Sequence, residues 1–139
     1  MTRERFAPRA PSASTLAEWL RPPDEVKSAL ALARFVATAK AHYGSRLRSA
    51  WLFGSRARRD HRPDSNADVA LVLSDFAGGF PEEKMRLSDM AFDAPADSGL
   101  LVQAWPFLQS DWGQPAEATR FAEVIANARR EGVQLPLKA

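Results

Sequence analysis

Three features of the sequence predict a small α/β domain. Two short runs, Arg48–Phe53 and Ala67–Ser74, carry apolar residues on both faces, as central strands covered by helices do. Segments with apolar residues at helical spacing precede the first run and follow the second. A chain of 139 residues with ordinary globular composition is long enough for one domain with a real core.

Residues 1–23 contain four of the ten prolines and read as an N-terminal arm. Residues 2–14 have the arginine and serine content of a transit peptide but no cleavage pattern. Thr15 and Glu18 form a capping box that opens a short helix through Trp19 and Leu20, and Trp19 is expected to dock on the domain surface. Asp24 is a good N-cap for a long helix ending at Gly44. Val26, Leu30, Ala33, Ala37 and Ala41 give its expected core stripe, widened by Leu32, Phe35 and Val36. His42, in the last turn, suits the helix dipole.

After the second strand, Gly78-Gly79 breaks the chain and Pro81 opens a helix over 81–93. Met85, Leu87, Met90 and Phe92 are its expected packing residues. Asp97-Ser98-Gly99 turns into a third strand, Leu100–Phe107, which Pro106 places near a sheet edge. The last helix, Ala116–Arg130, follows Gly113-Gln114-Pro115, ends before Gly132 and presents Phe121, Val124, Ile125 and Ala128. The domain is therefore expected to span residues 24–133, with an exposed tail over 134–139.

Composition excludes several classes. Without cysteine there are no disulfides and no thiolate metal sites, and a cytoplasmic setting is the expectation. No stretch approaches the ~18 consecutive apolar residues of a membrane span. Net charge is only +2, but Arg46, Arg48, Arg56, Arg58, Arg59 and Arg62 face a single acid, Asp60, within seventeen residues. That density favours a local phosphate field. Direct nucleic-acid binding is disfavoured, because no aromatic residues interleave with the arginines to stack bases.

The stretch WLFGSRARRDHRPDSNADVALVL, from Trp51 to Leu73, concentrates the chemistry. An apolar strand stops at Gly54-Ser55, where backbone amides at the start of a helical turn can hold a phosphate. Asn66 and Asp68 then enter the next strand two residues apart and share one face. With no histidine placed to activate it, Ser55 reads as a phosphate contact rather than a nucleophile. The run DSNADVALVLSD mimics an EF-hand loop, but Val69 stands at its required glycine and the run is a strand pattern.

Gly54-Ser55, ten residues, then Asn66-Ala67-Asp68 resembles the G-S-x10-D-x-D signature of the DNA polymerase beta-like nucleotidyltransferase superfamily. GSRAR followed by SNADVALVL is similar to the minimal nucleotidyltransferases (MNT domains), written GSRARGD…SDxDL. The resemblance covers about residues 24–133 and implies a small mixed sheet with helices packed chiefly on one side. It also implies ATP or another nucleoside triphosphate with Mg²⁺, held at Gly54, Ser55, Arg56 and Arg58.

Two Mg²⁺ ions in such enzymes sit on the two aspartates of D-x-D and a third carboxylate from a neighbouring strand. Here Asp68 matches the second aspartate and Asn66 replaces the first. Counting back from Trp112 places Gln103 at the third position. A neutral amide offers a carbonyl oxygen to Mg²⁺ without neutralising its charge. Losing two anionic ligands costs several kcal/mol of transition-state stabilisation, roughly 10³-fold in rate. Asp64 alternates with Asn66 and Asp68 and is the candidate rescue ligand.

Stand-alone domains of this kind resemble the antitoxins of HEPN–MNT toxin–antitoxin pairs, which transfer AMP from ATP to a tyrosine of the HEPN toxin. Three functions stay open: an AMP transferase acting on a partner protein, a degenerate member that binds nucleotide or partner without turnover, and a small-molecule nucleotidyltransferase. The carboxylate count favours the second, so whether the chain is an enzyme is left open.

Overall fold

The computed structural model describes residues 25–62, 65–93, 99–115 and 121–137. Asp24, Trp19, the capping box and Asp64 lie outside them, as does the first part of the helix expected over 116–130.

Helix α1 (Glu25–Tyr43) runs through a 3-10 turn (Gly44–Arg46) into β1 (Leu47–Phe53). The one-turn helix α2 (Ser55–Arg58), β2 (Ala67–Leu73) and α3 (Phe80–Asp93) come next. They are followed by β3 (Val102–Leu108), α4 (Gln109–Gly113), α5 (Ala122–Glu131) and β4 (Val133–Leu135). The four strands form one mixed sheet in the order β3-β2-β1-β4. Strand β1 is antiparallel to β2 and β4, and β2 is parallel to β3. A parallel pair needs a crossover, and α3 provides it. The mixed sheet matches the expectation, and Pro106 does lie on an edge strand.

Alternation along the strands divides the core. Ala67, Val69, Leu71 and Leu73 face α1 and α3, together with Leu47, Ala50, Phe35 and Leu87. Ala70 faces the shorter α5, with Phe53, Phe107, Ile125 and Ala128. The two long helices thus share one side. A register shift between Leu47 and Ser49 lets Leu47 and Ala50, three residues apart, enter the same core.

The core stripe of α1 differs from the expected one. Its buried residues are Ser28, Ala31, Leu32, Phe35, Val36, Ala39 and Tyr43, whereas Val26 is 69% and Leu30 54% exposed. Two apolar stripes overlap on this helix. The one carrying the aromatic rings faces the sheet, because it removes more apolar area from water. On α3, Leu87 is buried as expected, but Met85 and Phe92 point outward. The expected tail is also corrected in part: Gln134 and Leu135 belong to β4, where Leu135 pairs with Ala50. Leu135 and Leu137 both pack against the main core.

At the end of β2 remote from Asp68, one buried carboxylate ties three elements together. Glu83, fully buried on α3, accepts hydrogen bonds from the Tyr43 hydroxyl (2.9 Å), the Arg86 guanidinium (2.8 Å) and the Ala77 amide (2.7 Å). Burial opposes its ionisation, but the Ala77 amide, the Tyr43 hydroxyl and Arg86 outweigh burial and hold the carboxyl below its usual range. Burial, then the hydrogen bond to Glu83, pushes the Tyr43 phenol up to about 12.

Two predictions test this core. Phe35→Ala should cost about 3–5 kcal/mol by denaturant unfolding, while Val26→Ala stays within about 0.5 kcal/mol. Equal costs would restore the stripe expected from the sequence. Glu83 contributes stability that is present above its unfolded pKa, about 4.3, and lost as pH falls through its depressed folded value. Glu83→Gln should therefore flatten the acid limb of the melting-temperature profile and cost about 1–3 kcal/mol at neutral pH. An unchanged acid limb would remove Glu83 from that role.

Candidate functional site

The end of β1 and the starts of β2 and β3 meet at one end of the sheet. Phe53 pairs with Asp68 across the antiparallel ladder, and Asp68 pairs with Gln103 across the parallel one. Gly54 follows Phe53 with φ +78° and ψ −156°, a conformation that L side chains rarely adopt. A Cβ at Gly54 would also stand 2.5 Å from Oδ2 of Asp68. Glycine is thus required twice, for the turn and for the close approach of the carboxylate.

The chain then makes one helical turn. The amides of Ala57 and Arg58 both donate to the Gly54 carbonyl (3.1 Å each), and Arg59, at φ 64°, ends the turn. Arg56 is buried, and its Nε donates to the Ser65 carbonyl at 3.0 Å. This bond fastens the chain entering β2 to the turn leaving β1. Arg58 reaches Asp60 at 3.1 Å and both carboxylate oxygens of Glu131 at 3.0 and 3.1 Å. Of the two arginines expected at a phosphate, one therefore pins a loop and the other bridges two acids.

Asp68 is half-buried. Burial raises its carboxyl pKa, the charges of Arg58 and Lys84 pull it down, and Glu131 pushes it up. Lys84 comes from the first turns of α3. Its ammonium donates to the Ala104 carbonyl at 2.7 Å and lies 4.8 Å from the centre of the Trp105 ring. Burial lowers the Lys84 pKa and Asp68 raises it, so each group lies in the other's field. Lys84, Glu131 and Trp105 were not singled out for the site by sequence. Nothing in their spacing relates them to Gly54 or Asp68, because the contacts arise from the crossover helix and the far end of α5.

Asn66 lies just before β2 and is partly exposed, and Gln103 is exposed beside Asp68. No side-chain hydrogen bond or ion pair joins Ser55, Asn66, Asp68 or Gln103 to another described residue. Four polar side chains thus surround the Gly54 turn without a described partner, an arrangement suited to a polar ligand.

A family model described as a nucleotidyltransferase domain matches residues 33–129. The chain belongs to the nucleotidyltransferase domain family. Solved structures similar to this nucleotidyltransferase domain include a toxin–antitoxin with AMP-PNP, at 15% identity over 77% of this chain and 73% of that one, TM-score 0.49. A protein described as a nucleotidyltransferase from Sulfolobus solfataricus is 14% identical over 79% of this chain and 82% of that one, TM-score 0.47. The CdnE cyclic dinucleotide synthase of Elizabethkingia meningoseptica, with GTP and Apcpp, is 19% identical over 71% of this chain and 45% of that one, TM-score 0.48. A search of curated protein sequences gives no match.

Nucleotidyltransferases generally use a nucleoside triphosphate and a divalent metal. The donors gathered here are one carboxylate, Asp68, and two neutral amides, Asn66 and Gln103, with Arg58 and Lys84 near enough to act on the carboxylate's charge. Among the described residues, no three acidic or histidine side chains form a metal-binding group. Mg²⁺ favours anionic oxygen, so this donor set does not fit a metal pair.

The contact between Gly54 and Asp68 can be tested by a double-mutant cycle. Gly54→Ala should destabilise the domain by about 1–3 kcal/mol through backbone strain, and by more through the clash with Oδ2. In the Gly54→Ala/Asp68→Ala variant the clash is gone, so the combined loss should be smaller than the sum of the single losses. Additive losses would show that the carboxylate does not crowd the turn.

Proposed function

We propose that this nucleotidyltransferase domain binds a nucleoside triphosphate at the Gly54-Ser55 turn and acts through that nucleotide and a protein partner, with its paired-metal transfer chemistry degenerate. The observation that carries the reading is the pairing of Asp68 with Gln103, with Asn66 two positions before it. One carboxylate stands where the family pattern implies three. Arg58 and Lys84 bring fixed positive charge to the same place. Such charge attracts phosphate oxygens and repels a second cation.

Each residue then has a stated part. Gly54 gives the backbone its approach to the phosphates, and the Ser55 hydroxyl is available to donate to one. Lys84, which makes no ion pair with a described residue, supplies the mobile cation, since Arg58 is engaged by Asp60 and Glu131. Arg56 keeps the loop before Asn66 against the turn. The partner reading rests on the resemblance of GSRAR and SNADVALVL to MNT antitoxins, in which the partner is a HEPN toxin.

A second reading is transfer of AMP from ATP to a partner's tyrosine. The tyrosine oxygen would bond to the α-phosphorus, pyrophosphate would leave, and the phenolic proton would pass to a base. The observation in its favour is Asp68 itself, a carboxylate with its pKa raised by burial and no described hydrogen bond.

Calorimetry and a transfer assay separate the two. ATP should bind in EDTA about as well as in Mg²⁺, and Lys84→Met should weaken it about tenfold, roughly 1.4 kcal/mol. Labelled-ATP transfer to co-purifying protein should be slow in the wild type. Asn66→Asp with Gln103→Asp should raise it by more than the product of the single effects, because both carboxylates would hold one metal pair. Fast wild-type transfer abolished by Asp64→Ala would overturn the degenerate reading.

A further inference from the structure

The outer side of α1 is apolar and bare. Val26, Leu30, Ala33, Ala37 and Ala41 recur along it at helical spacing, and all five are exposed. Beside this shoulder runs a cavity of about 410 Å³ lined by Ala33, Val36 and Ala37 of α1 and by Leu135, Pro136 and Leu137. A second cavity of about 420 Å³ continues it toward the start of α1, sharing Ala29 and Leu32. Together they form one trench from Glu25 and Ser28 to Ala37, floored by β4 and the residues after it. Its near end touches the back of the Gly54 turn through Arg56 and Ala57. Ser28 is buried in this near end, and its hydroxyl has no hydrogen-bond partner.

We propose that the trench is the seat of the chain's own segment Thr15–Leu20, folded back along α1. The argument is one of reach and pattern. The described chain starts at Glu25, which itself lines the near end of the trench. Arg21–Asp24 span at most about 14 Å, enough to turn the chain onto the neighbouring face of the helix and too little to reach the opposite side of the sheet. In TLAEWL, Leu16 and Leu20 are four apart and Trp19 lies between them, so a helical turn presents all three on one side. Six helical residues cover about 9 Å, and Ala29 to Ala37 cover about 12 Å. Pro22-Pro23 stops the first helix before the second begins. So short a tether gives a millimolar effective concentration, and a weak contact then suffices. The seat also accounts for the apolar stripe of α1 that the sheet leaves uncovered.

Absence of cysteine makes disulfide trapping clean. Leu20→Cys with Ala33→Cys places both thiols at the seat, at an exposed α1 position that carries no core packing. Under mild oxidation this pair should form an intramolecular disulfide at least tenfold faster than Leu20→Cys with Arg129→Cys, whose second thiol lies on α5 across the sheet. Equal rates, or no bond in either, would overturn the seat. A disulfide between two molecules would overturn it in favour of a second copy. As an independent readout, Ala37→Glu should raise amide exchange across residues 15–20 at least tenfold while the helical circular dichroism of the domain is retained. Exchange unchanged by that substitution would also count against the proposal.

Discussion

The close approach of Gly54 to Asp68 is the constraint on which the rest of this molecule depends. A carboxylate beside a tight turn exists only where two strands bring their ends together and where the turn residue has no side chain. The antiparallel pairing of Phe53 with Asp68 supplies the first condition, and glycine at positive φ supplies the second. Everything farther out serves that junction. Arg56 holds the returning loop against it, the buried α1 and α3 core fixes the heights of β1 and β2, and the Glu83 cluster closes the other end of the sheet. A glycine variant would therefore perturb the fold and the carboxylate together, so it is a poor probe of phosphate affinity alone.

The charge around this junction is unusual for its fold. Two-metal chemistry concentrates negative charge to hold positive ions. Here the acids near Asp68 are diverted: Asp60 and Glu131 are joined to Arg58, and Gln103 is neutral. Lys84 completes the inversion with an ammonium held by a backbone carbonyl and an aromatic face. Asp68 then sits as a half-buried carboxylate between burial, which opposes its charge, and cations, which favour it. Such a site is polar and poised, and its net attraction is for anions.

Much of this was legible in the sequence because strands and turns announce themselves locally. The ends of β1 and β2 fall within a residue or so of those read from the apolar runs, and the proline of the third strand did mark an edge. What was illegible depends on direction in space. Alanine, leucine and valine surround most of α1, so periodicity offered two stripes and only the sheet chose between them. Met85 and Phe92 are apolar and at helical spacing, yet α3 turns them outward. Arginines clustered in the chain looked alike, but one is buried on a carbonyl and another bridges two acids. The short β4 carries no pattern of its own; three residues become a strand because β1 offers an edge.

The unused stripe of α1 and the nucleotide turn are neighbours, and this gives the trench its consequence. Arg56 contributes to both: its backbone is part of the turn, its guanidinium holds Ser65, and it lines the near end of the trench with Arg59 and His61. A segment seated along α1 therefore rests against the back of the turn whose front faces Asp68. Packing there restricts the same residues that a phosphate must approach from the other side. Occupancy of the trench and occupancy of the turn then draw on a shared rigid element, the short α2 with its Arg56 anchor. Two sites that bias one element are coupled whatever the sign, since any free energy that orders α2 for one occupant is no longer spent by the other.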